Sequence, residues 1–132
     1  MTPDQAREFV ANNHQAVMIT RRSAGGLQIS PITVGIDGDG KVVISSRQTA
    51  YKVRNLRRHP VRLHRHFLRP LDPDRRHHRD RPLPQAMDGL IDYYRRISGE
   101  HPDWDDYRRA MVTQQRVLIR LAIDNVGPTH AG

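Results

Sequence analysis

Cysteine does not occur in this chain, which excludes disulfides, thiolate nucleophiles and cysteine-based zinc or iron–sulfur sites in one step. Aromatic residues make up only 5% of it, so few large rings are available to fill a core. Long apolar runs are missing as well. Ala16-Val17-Met18-Ile19 and Val117-Leu118-Ile119 are far too short to cross a bilayer, and Met1 to Asn13 has no signal-peptide apolar stretch. These absences point to a cytoplasmic protein without a membrane partner. A length of 132 residues suits a single domain, 1–132, large enough for a real core.

What the chain has in excess is positive charge, +8 with a pI near 10.9. Part of that excess lies in Tyr51 to Pro60, where Lys52, Arg54, Arg57 and Arg58 follow directly on the apolar strand Lys41 to Ser46. A strand-to-helix junction offers free backbone N–H groups and the positive end of a helix dipole, and Ser45, Ser46 and Thr49 add hydroxyls. Such a junction can hold a phosphate. The plain alternative is a solvated, charged helix face.

Along the chain, Thr2-Pro3-Asp4 opens a helix carrying Ala6, Phe9 and Val10 at helical spacing. Gln15 to Thr20 and Leu27 to Ile36 read as a hairpin across the turn Ser23 to Gly26, and Asp37-Gly38-Asp39-Gly40 leads into a third antiparallel strand. Met87, Leu90, Ile91, Tyr94 and Ile97 define a helix that stops at Gly99, and Asp103 caps another. Arg116 to Ile123 alternates as a last strand. The pattern is α+β: an antiparallel sheet, closing as a small barrel, with helices outside.

Three segments resemble a known family: Gln28-Ile29-Ser30-Pro31, the basic run Lys52 to Pro60, and the long motif Tyr94-Arg95-Arg96-Ile97-Ser98-Gly99-Glu100-His101-Pro102-Asp103-Trp104-Asp105-Asp106-Tyr107. They are similar to the actinobacterial deazaflavin-dependent branch of the pyridoxamine 5'-phosphate oxidase-like family. The resemblance covers most of residues 5–60 and 83–127. It implies an antiparallel split β-barrel of the FMN-binding type and a homodimer with two cofactor sites at the subunit interface. The implied cofactor is coenzyme F-420, or FMN in other branches. By position, Lys52, Arg54 and Asn55 would meet the cofactor phosphate or acidic tail. Gln28, Ser30 and Pro31 would lie along the ring, with Ser45, Ser46 and Arg47 at the end of the third strand.

Residues 64–82 depart from that pattern. They hold half of the eight histidines and three prolines, and only Phe67, Leu68 and Leu71 among the large apolar residues, where the family has two core strands. The segment is expected to be irregular and exposed, leaving the barrel incomplete. His64, His66, His77 and His78 supply imidazoles without helical spacing or a matching carboxylate, so no metal site is read from them. A disordered Arg/His linker is one explanation. Read one nucleotide later, however, the codons from Leu71 to Pro82 permit Trp-Ile-Gln-Ile-Asp-Gly-Thr-Thr-Glu-Ile-Val, an alternating strand similar to the family's own. A frameshift bounded by two compensating base changes accounts for the segment, as a sequencing error or a true lesion.

The segment carries a net +3 of the chain's charge, so much of the case for nucleic acid goes with it. No interleaved aromatics or recognised module support that partner. The expectation is an oxidoreductase in which a deazaflavin moves a hydride to or from a small organic substrate. The alternatives are an FMN-dependent oxidase or reductase, or a cofactor-binding protein without catalysis. His14, His59 and His101 read as surface or helix-end residues, and Met87, Tyr93 and Tyr94 as packing.

Overall fold

A computed structural model describes residues 1–58, 78–81, 83–124 and 126–127 of the chain. The order of elements is α1 (Pro3–Asn12), β1 (Gln15–Arg21), β2 (Leu27–Thr33), β3 (Gly35–Ile36), β4 (Val42–Arg47), α2 (Tyr51–Arg58), β5 (His78–Arg81), α3 (Met87–Ser98), α4 (Trp104–Thr113) and β6 (Arg116–Leu121). Local chemistry sets most of the boundaries. Thr2 caps α1 in a capping box, its hydroxyl accepting from Gln5 N–H at 3.2 Å while the Gln5 side chain accepts from Thr2 N–H at 2.9 Å. Asp103 caps α4 by accepting from Asp106 N–H at 3.1 Å. Gly99 ends α3 at φ +79°, in the left-handed region that glycine enters without a Cβ clash.

Among the described residues all strand pairing is antiparallel, in two sheets: β1 with β2, and a four-stranded sheet in the order β3-β4-β6-β5. The architecture is therefore α+β, and among the described residues the sheets do not join into a closed barrel. The expected continuous strand from Leu27 to Ile36 is broken at Val34. Its N–H still donates to the His14 carbonyl at 2.8 Å, one step beyond the Gln15↔Thr33 pair of the hairpin, and Gly35 and Ile36 then pair with Val43 and Val42 of β4, so the chain passes from the first sheet to the second there.

The expectation of irregular backbone through residues 64–82 is corrected for 78–81. These residues form β5 and pair with β6 from His78↔Leu121 to Arg81↔Leu118. Ladder hydrogen bonds are made by backbone groups, so a His-Arg-Asp-Arg sequence can occupy an edge, where charge is common. Residues 64–77 and 82 lie outside the described residues.

β4 and β6 are covered on both faces, which explains their nearly unbroken apolar sequence. One face packs Val42, Ile44, Val117 and Ile119 against Met18 and Ile32 of the hairpin and Val53 and Leu56 of α2. The other packs Val43 and Leu118 under Leu90 and Ile91 of α3 and Tyr107 and Met111 of α4. The functional region lies where the hairpin, α2 and the α3–α4 layer meet the start of β6.

Candidate functional site

An open cavity of about 460 Å³ lies at that meeting point. Pro31, Ile32 and Thr33 line it from β2, Ile44 and Ser45 from β4, and Lys52 from α2. Tyr93 and Tyr94 come from α3, Tyr107 and Met111 from α4, and Arg116 from the first position of β6. The volume falls within the usual range for small-molecule and cofactor sites.

Arg116 is delivered by an unusual turn. Gln115 takes φ +51°, its carbonyl accepts from Gln48 N–H at 2.8 Å, and Gln114 Oε1 accepts from Arg116 Nε at 2.8 Å. The chain thereby reverses from α4 into β6 within two residues, at some cost in backbone strain.

Two cations share the cavity without a carboxylate among the described residues that line it. Burial lowers the pKa of Lys52, and the charge of Arg116 lowers it further. Burial also lowers that of Arg116, with a further push from Arg47, its cross-strand partner in the β4–β6 ladder. Both groups are charged in a place that disfavours charge, which an anion between them would relieve.

Two of the tyrosines have their hydroxyls tied to the backbone. Tyr93 Oη donates to the Thr33 carbonyl at 2.8 Å, and Tyr107 Oη donates to the Leu90 carbonyl at 2.9 Å. Burial raises the pKa of Tyr93, and burial together with Tyr93 pushes Tyr107 up to about 12. Behind Tyr107 stand Tyr94, His101 and Trp104, with ring centroids 5.1 to 5.7 Å apart. Arg95 covers Trp104 at 4.7 Å.

Of the residues expected at the site from sequence, the structure brings Pro31, Ser45 and Lys52 to the cavity. Gln28, Ser30 and Asn55 form a separate polar chain: Asn55 Nδ2 donates to Thr20 Oγ1 at 3.0 Å and to Gln28 Oε1 at 3.4 Å, and Gln28 Nε2 to Ser30 Oγ at 3.5 Å. Arg58 donates to Asn55 Oδ1, and Asn55 is 2% exposed, so this chain ties α2 to the hairpin. Ser46 is buried, and its hydroxyl has no hydrogen-bond partner among the described residues. Arg47 is exposed at the end of β4, and Arg54 is exposed over the Tyr51 ring at 5.9 Å.

Arg116, Met111 and the three tyrosines were not foreseen at the site. Tyr93 and Tyr94, read from periodicity as packing, pack and line the cavity together. The available signal was an arginine heading the apolar run Val117-Leu118-Ile119, where a core-facing strand has no need of charge.

A second cavity, of about 360 Å³, opens farther along the same face of β6 beside Asp37, Asp39, Asp88, Asp92 and Arg120. Arg120 donates from Nε to Asp37 at 2.9 Å and from Nη2 to Asp39 at 3.0 Å. Among the described residues no set of three or more His, Asp or Glu side chains is placed to hold a metal ion.

No family model matches the chain. Its fold is similar to that of the conserved hypothetical protein Rv2991 from Mycobacterium tuberculosis, with a TM-score of 0.69 at 17% identity over 95% of this chain and 82% of that one. It is also similar to a protein named F420 reductase, with a TM-score of 0.50 at 17% identity over 84% of this chain and 86% of that one. At these identities the likeness is one of fold.

Proposed function

We propose that this chain is an oxidoreductase that uses coenzyme F-420, a deazaflavin, to transfer a hydride to or from a small organic substrate. The observation that carries the reading is the open cavity in which Lys52 and Arg116 face a wall of Pro31, Ile32, Ile44 and Met111. A cofactor with an anionic end and a flat apolar ring needs both features. The fold likeness to an F420 reductase supports the choice of deazaflavin. When bound, the deazaflavin supplies the hydride chemistry. The chain's own part is to grip the anionic group with Lys52 and Arg116 and to shield the ring with apolar and tyrosine side chains. Tyr93 and Tyr107 are held in place as walls by the bonds from their hydroxyls to backbone carbonyls.

FMN presents the same two chemical features, so it is the second reading. Titrating the purified protein with each cofactor, followed by its absorbance, separates the two. Saturable binding of coenzyme F-420 together with hydride transfer to a test acceptor supports the reading, and failure to bind either cofactor overturns it.

The proposal extends to a homodimer. Val17, Leu27 and Ile29 are 53%, 56% and 67% exposed, and the β1–β2 register sets Val17 against Pro31 and Ile19 against Ile29. This makes one bare apolar stripe, and its Pro31 end borders the cavity. A second copy seated there would help close the mouth. Sedimentation should give a dimer, with Ile29→Asp shifting it to monomer; a monomeric unaltered protein ends this part of the proposal. The out-of-frame origin of residues 64–82 belongs to the same proposal. A gene rewritten in the shifted frame should yield a dimer that binds cofactor more tightly than the chain as it stands, and independent isolates coding for the present residues would exclude a sequencing error.

A further inference from the structure

We propose that Lys52 is a site of reversible carbamate formation: its uncharged amine takes up carbon dioxide, and the resulting carbamate pairs with Arg116. The inference stands on the surroundings of one amine and goes beyond the cofactor reading, in which Lys52 acts only as a cation.

A carbamate needs an amine that is partly uncharged, open to a small molecule, and placed where a negative product is favoured. Lys52 lines the open cavity of about 460 Å³, so carbon dioxide has a path to it. Burial and the charge of Arg116 lower its pKa, which raises the uncharged share of the amine. The surroundings that disfavour the ammonium also favour the carbamate. Lys52 is the second residue of α2, in a first turn without an acidic side chain, so the positive end of the helix dipole is beside it. Arg116 opens onto the same cavity, Arg47 stands opposite Arg116 in the β4–β6 ladder, and no described carboxylate lines the cavity. Turning Lys52 from a cation into an anion replaces repulsion by an ion pair, with the planar Arg116 fork matched to two carbamate oxygens.

Only two of the chain's 22 Lys and Arg residues are lysines, Lys41 and Lys52, so arginine holds nearly every basic position. An arginine at position 52 would also attract an anion, but it stays charged and forms no carbamate. Lys41 is the contrast within the same chain. Its N–H donates to the Asp37 carboxylate at 2.9 Å, beside Asp39, and carboxylates so near favour an ammonium and oppose a carbamate. The step at Lys52 balances without oxidation or reduction. The Nζ lone pair forms a bond to the carbon of carbon dioxide, one C=O π pair moves onto oxygen as the new carboxylate, and the displaced proton passes from Nζ to water.

The test equilibrates the purified, unaltered protein with isotope-labelled bicarbonate at mildly alkaline pH, fixes carbamates by ethylation with triethyloxonium, and locates the labelled ethyl carbamate by peptide mass spectrometry. Lys52 should carry the label severalfold more than Lys41. Lys41→Arg should leave the Lys52 label unchanged, Lys52→Arg should remove it, and Arg116→Gln, checked for folding by circular dichroism, should lower it severalfold. No label on Lys52, or equal label on the two lysines, overturns the proposal, as does a folded Arg116→Gln with an unaltered label. If Arg116→Gln does not fold, the contrast between the two lysines of the unaltered protein decides. A carbamate on Lys52 in a protein that binds neither coenzyme F-420 nor FMN leaves this inference standing and ends the cofactor reading, and cofactor binding without a carbamate does the reverse.

Discussion

Arg116 and Arg120 lie on the same face of the same strand, one on either side of Leu118, and they have opposite surroundings. Arg120 is 18% exposed at its side chain and is bound by Asp37 and Asp39. Asp37 in turn accepts from the N–H groups of Asp39 and Lys41, both at 2.9 Å, so the guanidinium and the β3–β4 turn stabilise one another. Arg116 faces Lys52 and Arg47, and no carboxylate meets it among the described residues. A cation with its counter-charge built in belongs to the scaffold. A cation held near other cations, in a cavity of cofactor size, is placed for a charge that arrives with a ligand.

The comparison can be broken most decisively at the cavity end. Lys52→Ala should weaken binding of coenzyme F-420 or FMN by about 1 to 3 kcal/mol, the range for a lost charge-assisted hydrogen bond. Calorimetric titration measures this, and an unchanged dissociation constant would remove Lys52 from the site. Raising salt should weaken the same affinity, because the contacts are ionic and partly open to solvent. A flat salt profile would contradict an ionic grip by Lys52 and Arg116.

At the other end, Arg120→Ala should leave cofactor affinity alone and lower stability by about 1 to 2 kcal/mol, mostly through the poorly exposed Asp37 rather than the open Asp39. The loss should depend on pH. Burial by itself would raise the Asp37 pKa, but the backbone donors at Lys41 and Asp39 and the Arg120 guanidinium hold it below its ordinary value of 3.8. The stabilisation is therefore present above that value and disappears as pH falls through the lower folded one. Denaturant melts of the two proteins should differ at pH 7 and converge in stronger acid; a constant gap would show that Asp37 ionisation is not involved.

Arg116→Gln should do the reverse, losing anion affinity while stability holds or rises by about 0.2 to 1 kcal/mol, since the repulsion from Arg47 is removed. A thermal melt that drops by several degrees would instead make Arg116 a scaffold residue. The smallest effect is expected at Arg54→Ala. Its guanidinium makes one exposed ring contact, so both affinity and stability should change by no more than about 0.5 kcal/mol.

How much of this was legible beforehand differs between fold and site. The helices α1, α3 and α4 could be read because a cap or stop residue and a helical apolar stripe agree in each: Thr2 before Pro3, Gly99 after Ser98, Asp103 before Trp104. β4 and β6 were likewise visible as short apolar runs. The break at Val34 was not, because it is a change of backbone partner, from β1 up to Val34 to β4 at Gly35 and Ile36, which the side-chain pattern does not record. β5 was missed for a related reason. The edge pairing of 78–81 is made by backbone, and side-chain pattern carries no record of it.

Within the site, Lys52 stood out because a cation just inside a helix that follows an apolar strand is a local arrangement. Gln28, Ser30 and Asn55 looked equally suitable as polar residues beside the ring, yet they find one another instead. The Asn55 side chain points to Thr20, 35 residues away in sequence, so its role depends on how α2 packs on the hairpin.

The sequence by itself determined the secondary structure of most elements, the lack of cysteine chemistry, and the cation at the start of α2, because each depends on residues within a turn or two of one another. The tertiary structure alone decided which cation meets no carboxylate among the described residues. Asp37 and Asp39 reach Arg120 across more than 80 residues, and Arg116 meets Lys52 only once β6 has inserted beside β4. Charge is a property of the residue, but its neutralisation depends on distance and burial, and those exist only after the chain has folded.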